Sequence, residues 1–313
     1  MPNRCGKGLP SPPGAQRGIA LVVVLWLVVL LTVMAASHAR NIRIEAYLAY
    51  NQVEAAKARS LAEGGVYRAI MELLSADTPE RWPVDGTFGR IGLDTGTVDI
   101  SIRDATGLLD LNAAPPAQLE ALLAGAGVER GQRQDLVDAI LDWRDKDQLK
   151  HLHGAEDPDY QRAGLGWEAR DDRFTSVDEL RYVLGMTNEV FERLAPYLTV
   201  YSGRGEVNPD YAPPWLLSVL TSVEEGSVGG NRDTGAPGTA GTARPAPTAP
   251  SAAAAGTGAR RGSGTYHIQV RATSGGGSVA SLETVIRVSA AGEPNYTVLS
   301  WREPARRIKA MPR

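Results

Sequence analysis

Apolar residues follow two different patterns along this chain, a continuous one near the N-terminus and alternating ones further on. Ile19–Ala36 is an almost uninterrupted apolar run of eighteen residues. As a helix it spans about 27 Å, enough to cross the hydrocarbon core of a membrane. Apolar or small residues then recur at helical spacing through Asn41–Leu74, without a proline. The pattern predicts one long helix, apolar all round at first and one-faced later, that ends near Asp77-Thr78-Pro79.

Four later segments alternate apolar and polar residues with period two, which predicts strands of a sheet with one buried face. They are Thr97–Arg103, Thr265–Ala272, Ser278–Val288 and Tyr296–Trp301. Between the first strand and the other three, Asp104–Val219 has helical spacing, with prolines at helix starts and glycines at turns. The chain is therefore predicted to be α+β: the long helix covers a small antiparallel sheet, into which an all-α domain is inserted.

A basic leader precedes the apolar run. Met1–Gly18 carries three basic residues and no acid, which favours the cytoplasmic side of a membrane for this end of the chain. The alternative is a secretory signal peptide, cut after Ala35, Ala36 or Ala39. The apolar run is longer than the core of a usual signal peptide and starts directly after Gly18. We therefore expect the helix to be retained as a membrane anchor.

The segment Arg17–Trp26 resembles the start of a minor pseudopilin of the type II secretion system. In that family a prepilin peptidase cuts after the glycine, here Gly18, and the new N-terminus, here Ile19, is methylated. Most pilin-like subunits have a glutamate at the fifth mature position, where this chain has Val23. Absence of the glutamate marks the K-type subunit, general secretion pathway protein K. The resemblance implies a place at the pseudopilus tip, where this subunit initiates assembly for export of folded proteins across the outer membrane.

The resemblance covers nearly the whole chain and implies its domain organisation. The insertion is expected to consist of SAM-like or helix-hairpin-helix units, and the protein to lie in the inner membrane of a Gram-negative bacterium, single-pass, with its C-terminal domain in the periplasm. The expected domains are a leader (1–18), a transmembrane helix (19–36), the spine helix with the first part of the pilin-like domain (37–103), the inserted helical domain (104–223), a disordered linker rich in Gly, Ala, Pro, Thr and Ser (224–264) and the C-terminal strands (265–313).

Charge and cysteine content narrow the function. The net charge is −3, and loss of the basic leader brings it to about −6, which argues against nucleic acid as the main partner. The alternative function is a membrane-anchored helix-hairpin-helix protein, such as a DNA receptor, that binds phosphates at turns like Gly125–Gly127. Acidic and basic residues are mixed around this turn, which gives only a weak signal for phosphate binding. The one cysteine, Cys5, lies in the leader, so no disulfide is predicted.

Clustered carboxylates in the loop 142–172 are the candidate metal site. Carboxylates on a turn-rich loop suit a hard cation such as Ca²⁺, and a solvated acidic loop is the alternative. The segment Gly154–Asp157 resembles one in K-type pseudopilins, some of which bind calcium in this region. The histidines His151 and His153 make only an incomplete zinc site, and no active-site motif is evident, so no enzyme is predicted. The predicted calcium ligands are Asp145, Asp147, Glu156, Asp157 and Asp159.

A stripe of small residues on the long helix is the predicted partner surface. Ala55, Ala58 and Ala62 fall at near-helical spacing, and small side chains let two helices approach closely. The resemblance implies that the partners are the I- and J-type minor pseudopilins and other pseudopilins, with prepilin peptidase as the processing enzyme.

Overall fold

The computed structural model describes residues 17–75, 82–228, 262–289 and 295–304. The chain divides into two compact units, Met1–Lys57 and Ala58–Arg313. The predicted leader lies almost wholly outside the described residues, as do Cys5, the helix end at Asp77-Thr78-Pro79 and most of the predicted linker. The long helix α1 is observed as Arg17–Leu74.

The first unit contributes the N-terminal part of α1. Within the described residues, one segment is long and apolar enough to cross a membrane, Ala20–His38. The hydroxyl of Thr32 in this segment has a hydrogen-bond acceptor within the helix, because Thr32 Oγ1 donates to the Val28 carbonyl over 2.6 Å. Val23 lies in this segment with its side chain exposed. The segment thus has the length and composition predicted for a membrane anchor.

A five-stranded antiparallel sheet in the order β1-β2-β5-β6-β7 forms the head of the second unit. The four predicted strands are confirmed to within two residues at each end as β2, β5, β6 and β7. Strand β1 was missed because its glycine-rich sequence alternates weakly and it lies at the sheet edge. The strands are β1 Asp85–Leu93, β2 Gly96–Asp104, β3 Leu109–Asp110, β4 Leu198–Thr199, β5 Thr265–Ser274, β6 Val279–Val288 and β7 Tyr296–Arg302.

The C-terminal part of α1 packs on one face of this sheet, where Val66 and Ile70 meet Ile100 and other apolar strand residues. The approach is close at Gly65, since a Cβ there would lie 2.7 Å from Val270 Cγ1 and 2.8 Å from Val98 Cγ1. Small side chains on this face of α1 permit that packing.

The same packing corrects the predicted partner stripe. Ala58 and Ala62 are both 0% exposed, and Ala62 belongs to the core of the head. Their smallness serves the chain's own helix–sheet contact, so neither is open to a partner helix. Ala55, in the first unit, is exposed.

The inserted region has a separate hydrophobic core around Trp143, Tyr160 and Phe191. The predicted turn at Gly125–Gly127 is observed, with Gly127 at φ 84°, and a second glycine turn lies at Gly185, with φ 83°. Ser176 caps the 3₁₀ helix Val177–Tyr182. The last helix runs past Glu224, into the segment predicted as linker. The α-helices are α2 Pro116–Gly125, α3 Arg130–Arg144, α4 Asp157–Arg162, α5 Asn188–Leu194 and α6 Pro214–Val228.

Polar contacts join the inserted region to the head. Thr199 Oγ1 and His267 Nε2 lie 3.0 Å apart, and Arg103 donates to the Tyr211 carbonyl over 2.8 Å. Asp104, at the end of β2, is fully buried. Its carboxylate accepts hydrogen bonds from the backbone of Thr106 on one side and of Ser263 on the other. Asp104 therefore holds the start of the inserted region and the segment that leads back to β5 next to each other.

Candidate cation site and apolar head surface

Helix α3 carries a fully buried carboxylate, Asp142, and its Ile140 and Trp143 lie in the apolar core. Its Oδ1 accepts a hydrogen bond from the His151 backbone over 3.1 Å and contacts His151 Nδ1. Its Oδ2 has no hydrogen-bond partner among the described residues. Burying an unpaired carboxylate oxygen is costly, so a position like this indicates a missing positive partner.

Three further carboxylates share this property. Both side-chain oxygens of Glu156 are buried without a partner in the described structure, and so is one oxygen each of Asp145 and Asp171. The backbone of Asp171 is left-handed, with φ 53°, and its other oxygen accepts from Gln148 over 2.6 Å. We refer to Asp142, Asp145, Glu156 and Asp171 as the carboxylate cluster.

The electrostatics of the carboxylate cluster follow from burial and from mutual repulsion. Burial, together with the charges of Asp142, Asp171 and Asp145, raises the pKa of Glu156 to about 7. Burial also raises the pKa of Asp145, with Asp147 and Asp142 adding to the effect. Without a cation, the cluster resists full ionisation.

A tight turn holds the loop against α3. The Gly154 backbone donates to the His151 carbonyl over 3.1 Å, and the His153 backbone donates to Asp138 Oδ2 over 3.1 Å. A Cβ at Gly154 would lie only 1.8 Å from Asp142 Oδ2. Glycine is therefore required where the chain passes the unpaired oxygen.

The structure brings only two of the five predicted ligands, Asp145 and Glu156, into the carboxylate cluster. Asp159 accepts from Lys150 over 3.0 Å and also from Arg162. Asp157 accepts from the Ala169 backbone over 3.1 Å. The exposed Asp147 accepts from the Leu149 backbone over 2.9 Å. None of these three carboxylates has a buried unpaired oxygen in the described structure, so they are not members of the carboxylate cluster.

Two members of the carboxylate cluster were missing from the predicted set. Asp142 was discoverable, because it lies one turn after Asp138 on the same side of α3, next to the acid-rich loop. Asp171 gave no signal, since its role depends on a backbone conformation that sequence does not show. Asp142, Asp145 and His151 offer ligand atoms that all lie within 4.8 Å of one another. Glu156 lies near enough to Asp142, Asp145 and Asp171 for their charges to shift its pKa. Carboxylate oxygens of this kind are the ligands that Ca²⁺ prefers.

A second candidate surface lies on the head, on the outward face of α1 and the adjoining edge strand β7. Tyr67 and Met71 are 55% and 64% exposed, and Val298 and Trp301 are 44% and 40% exposed. The rings of Tyr67 and Trp301 are 6.2 Å apart. Gly64 is exposed on the same helix, with open space where a Cβ would lie. We call these five residues the apolar head surface. A contiguous exposed apolar patch commonly marks an interaction site.

Known proteins resemble this chain in sequence across much of its length. The family described as "Type II secretion system (T2SS), protein K" matches residues 100–203. The type II secretion system protein K of Klebsiella pneumoniae is 29% identical over 235 residues, 66% of this chain and 70% of that one. The protein K of Pectobacterium carotovorum is 28% identical over 207 residues, 58% of this chain and 62% of that one. That of Pseudomonas aeruginosa is 26% identical over 234 residues, 67% of this chain and 70% of that one.

The family model and the three relatives therefore agree in indicating a similarity to protein K. This chain is similar to type II secretion system protein K in the inserted region and in sequence beyond it. The aligned part spans about two thirds of the length of these relatives.

A solved structure of the GspK-GspI-GspJ complex from enterotoxigenic Escherichia coli is similar in fold to this chain. The likeness has a TM-score of 0.53 at 17% identity and covers 84% of this chain and 99% of that chain. At this identity the likeness concerns fold alone. It agrees with an α+β chain that has an N-terminal apolar helix and an antiparallel sheet.

Proposed function

We propose that this chain is a non-enzymatic minor pseudopilin that lies at the tip of the type II secretion pseudopilus and initiates its assembly. The observation that carries the proposal is the protein K match over residues 100–203, in a chain that begins with a membrane-length helix. The core of the inserted region is closed around Trp143 and Tyr160, as expected of a domain that packs against proteins. Its helix–turn–helix pairs, such as α2 with α3, are the proposed SAM-like or helix-hairpin-helix units.

The proposed maturation is cleavage after Gly18, followed by methylation of Ile19. The mature chain is then held in the inner membrane by Ala20–His38, with the head in the periplasm. Mass spectrometry of the mature N-terminus tests this. Substituting Gly18→Leu should leave the precursor mass, because prepilin peptidase requires the glycine. A chain of unchanged mature mass in that variant would contradict it.

We propose that the partners are I- and J-type minor pseudopilins, because the structure similar in fold is named as a complex of protein K with GspI and GspJ. The apolar head surface is the proposed site of contact, in place of the alanine stripe. Tyr67 and Met71 project one turn apart from a helix face that carries an exposed glycine, so a partner helix has both an apolar contact and room to approach.

Co-purification of the three chains tests the surface. Tyr67→Glu combined with Met71→Glu should abolish recovery of both partners, since each substitution places a charge in the contact. Leu93→Glu is the matched control, because Leu93 is 51% exposed on β1, at the opposite edge of the sheet, and should leave recovery unchanged. Equal recovery in both variants would remove the apolar head surface from the interface.

The proposed tip position rests on the absence of a carboxylate that could pair with a subunit stacked over this one. Val23 offers no carboxylate to a subunit stacked over it, and a buried carboxylate in lipid would be costly. Purified protein K should therefore not polymerise alone and should join the I- and J-type chains at one copy per complex. Long homopolymers seen by electron microscopy would overturn the tip position.

We further propose that the carboxylate cluster binds Ca²⁺. The ion would be held by Asp142, Asp145, Glu156 and Asp171, and it would neutralise carboxylates that have unpaired oxygens in the described structure. Its role is structural: it would fix the loop after α3 to the loop at Asp171. Calcium that binds only the folded chain raises the melting temperature. The melting temperature should rise in Ca²⁺ relative to chelator, and Asp142→Asn should remove most of that rise.

The DNA-receptor alternative is not favoured. The turn at Gly127 is occupied by the chain itself, because Arg193 donates to the Ala126 carbonyl over 2.8 Å and pairs with Glu189. A phosphate would have to displace these contacts in a chain of negative net charge.

A further inference from the structure

Two leucines project from the loop that follows α3. Leu149 and Leu152 are 78% and 87% exposed, more than any other large apolar side chain that the structure describes. They are separated by two residues and lie in a stretch, 146–153, whose side chains are all exposed. We call this stretch the leucine loop. Single exposed leucines are common on protein surfaces, but a pair at the end of one loop is a concentrated apolar feature.

The fold holds this loop in place. Leu152 occupies the turn closed by the Gly154 N–H to His151 carbonyl hydrogen bond of 3.1 Å. The backbone on either side of Leu152 is anchored to α3, by His151 to Asp142 and by His153 to Asp138. The Leu149 backbone is fixed separately by Asp147 over 2.9 Å. The exposure of both leucines is therefore set by specific hydrogen bonds.

The flanks of the leucines are basic. Lys146, Lys150, His151 and His153 lie in the leucine loop, with Asp147 as its one acid. Lys150 also pairs with Asp159, and His153 Nδ1 lies 3.5 Å from Asp135. The net positive charge is therefore modest, and the leucines have to supply most of any binding energy.

We propose that the leucine loop docks on an anionic phospholipid surface. Leu149 and Leu152 enter the boundary between headgroups and acyl chains, and Lys146 and Lys150 lie among the anionic headgroups. Apolar side chains bordered by lysines suit such an interface, because the long lysine stems keep their charges in the headgroup layer.

The composition favours lipid over a protein pocket. The energetic centres of protein–protein interfaces are enriched in Trp, Tyr and Arg, whereas Leu is under-represented and Lys is depleted. The leucine loop has the opposite composition. A bilayer needs no matching pocket, so two protruding leucines are sufficient for it.

Vesicle capture of the full chain tests the proposal. The full-length protein is held in nanodiscs of phosphatidylcholine, and sucrose-loaded vesicles of phosphatidylcholine mixed with phosphatidylglycerol are added and pelleted. The unaltered chain should pellet with the vesicles. Leu149→Ser combined with Leu152→Ser should reduce capture about tenfold or more, since both leucines lose their apolar burial. Leu93→Ser, an equally drastic change at an exposed position of β1, should leave capture unchanged.

Two further measurements complete the test: the dependence of capture on charge, and the melting temperature of each variant. Lys146→Gln should lower capture about fivefold on anionic vesicles, and vesicles of phosphatidylcholine alone should capture the unaltered chain more weakly. The melting temperatures of all variants should match, because the changed side chains are exposed. Failure of the unaltered chain to pellet, or full capture of the double serine variant, would overturn the proposal. So would a photoreactive residue at position 152 that crosslinks in cells to a protein and not to phospholipid.

Discussion

The head and the inserted region reach stability in different ways. The head buries alternating apolar residues of β2, β5 and β6 under α1, and its backbone is paired along a regular antiparallel ladder. The inserted region consists of short helices around its own apolar core, and it also encloses carboxylates with unpaired oxygens. Among the described residues, Asp142, Asp145, Glu156 and Asp171 all lie in the inserted region.

The two regions therefore differ in whether their buried acids have a positive partner within the chain. The head is stabilised by its own contacts: its buried Glu72, one oxygen of which is unpaired, has Arg68 as a positive partner within the chain. The carboxylate cluster costs stability unless a cation joins it. The head should therefore respond to changes of packing, and the inserted region to changes of cation and solvent.

The largest expected effect is the loss of calcium stabilisation in the inserted region. At Ca²⁺ about a hundredfold above its dissociation constant, the free energy of unfolding should rise by about 3 kcal/mol. Gly154→Ala should remove most of that gain, because the added Cβ meets Asp142 Oδ2 at 1.8 Å. Gly166→Ala is the control, since a Cβ there has nothing within 4 Å. Thermal melting in Ca²⁺ and in chelator measures both, and an unchanged calcium response in Gly154→Ala would refute the site.

Packing in the head is tested by two adjacent glycines of α1. Gly65→Ala forces a methyl group against Val98 and Val270 and should destabilise the fold by about 2 kcal/mol. Gly64→Ala meets open space and should stabilise the helix by up to about 1 kcal/mol. Chemical denaturation with and without Ca²⁺ gives both values, and the differences should not depend on the cation. Equal effects at the two positions would show that α1 does not pack on the sheet as described.

Acid should weaken the junction between the two regions at His267. Burial, together with the charges of Arg302 and Arg103, lowers the pKa of His267 from 6.5 to about 4. The unfolded chain then binds a proton below pH 6.5 that the folded chain does not bind until about pH 4. Stability is therefore complete above pH 6.5 and falls by about 2 kcal/mol as the pH drops to 4, allowing for the partial exposure of the ring.

His267→Gln, which retains a hydrogen-bonding group beside Thr199, should flatten that part of the stability–pH curve. His153→Gln is the comparison, because His153 is exposed and its loss should leave the slope between pH 6.5 and 4 unchanged. If the two variants show the same slope as the unaltered chain, His267 does not report on the junction.

The smallest expected effect concerns the ion pair between Arg302 on β7 and Asp178 in the inserted region, 2.5 Å apart. Both side chains are about half exposed, so the pair should contribute about 0.5 kcal/mol. Arg302→Gln should lower the melting temperature slightly, and less in high salt, where the pair is already screened. A loss several times larger would mean that the edge strand depends on the inserted region for its stability.

Sequence patterns predicted the head well because its structure is periodic. The strands with Ile100, Ile268 and Ile286 show their buried face by alternation alone. Strand β1 does not, because its glycines contribute no side chain to either face. The alanines of α1 show the limit of the method: Ala58 and Ala62 lie at helical spacing for either contact, and only the tertiary structure shows that they face the chain's own sheet.

The carboxylate cluster was predicted only in part for a related reason. Acid density identifies a loop but does not show which acids keep a buried oxygen without a protein donor. Asp159 and Asp157 lie in the dense segment, yet they accept from Lys150, Arg162 and the Ala169 backbone. Which oxygen stays unpaired depends on turns and on one left-handed residue, and these are properties of the folded chain.

Asp104 has a consequence for how this protein can change over evolution. It joins the chain leaving β2 to the chain entering β5, and these two strands are antiparallel neighbours, so to the sheet everything between them is one hairpin loop. The entropy of closing a loop grows only with the logarithm of its length. Lengthening, shortening or exchanging that segment therefore changes the folding equilibrium of the sheet little. The protein can therefore acquire new binding properties by exchange of the inserted region, while the sheet and the helix packed on it stay the same.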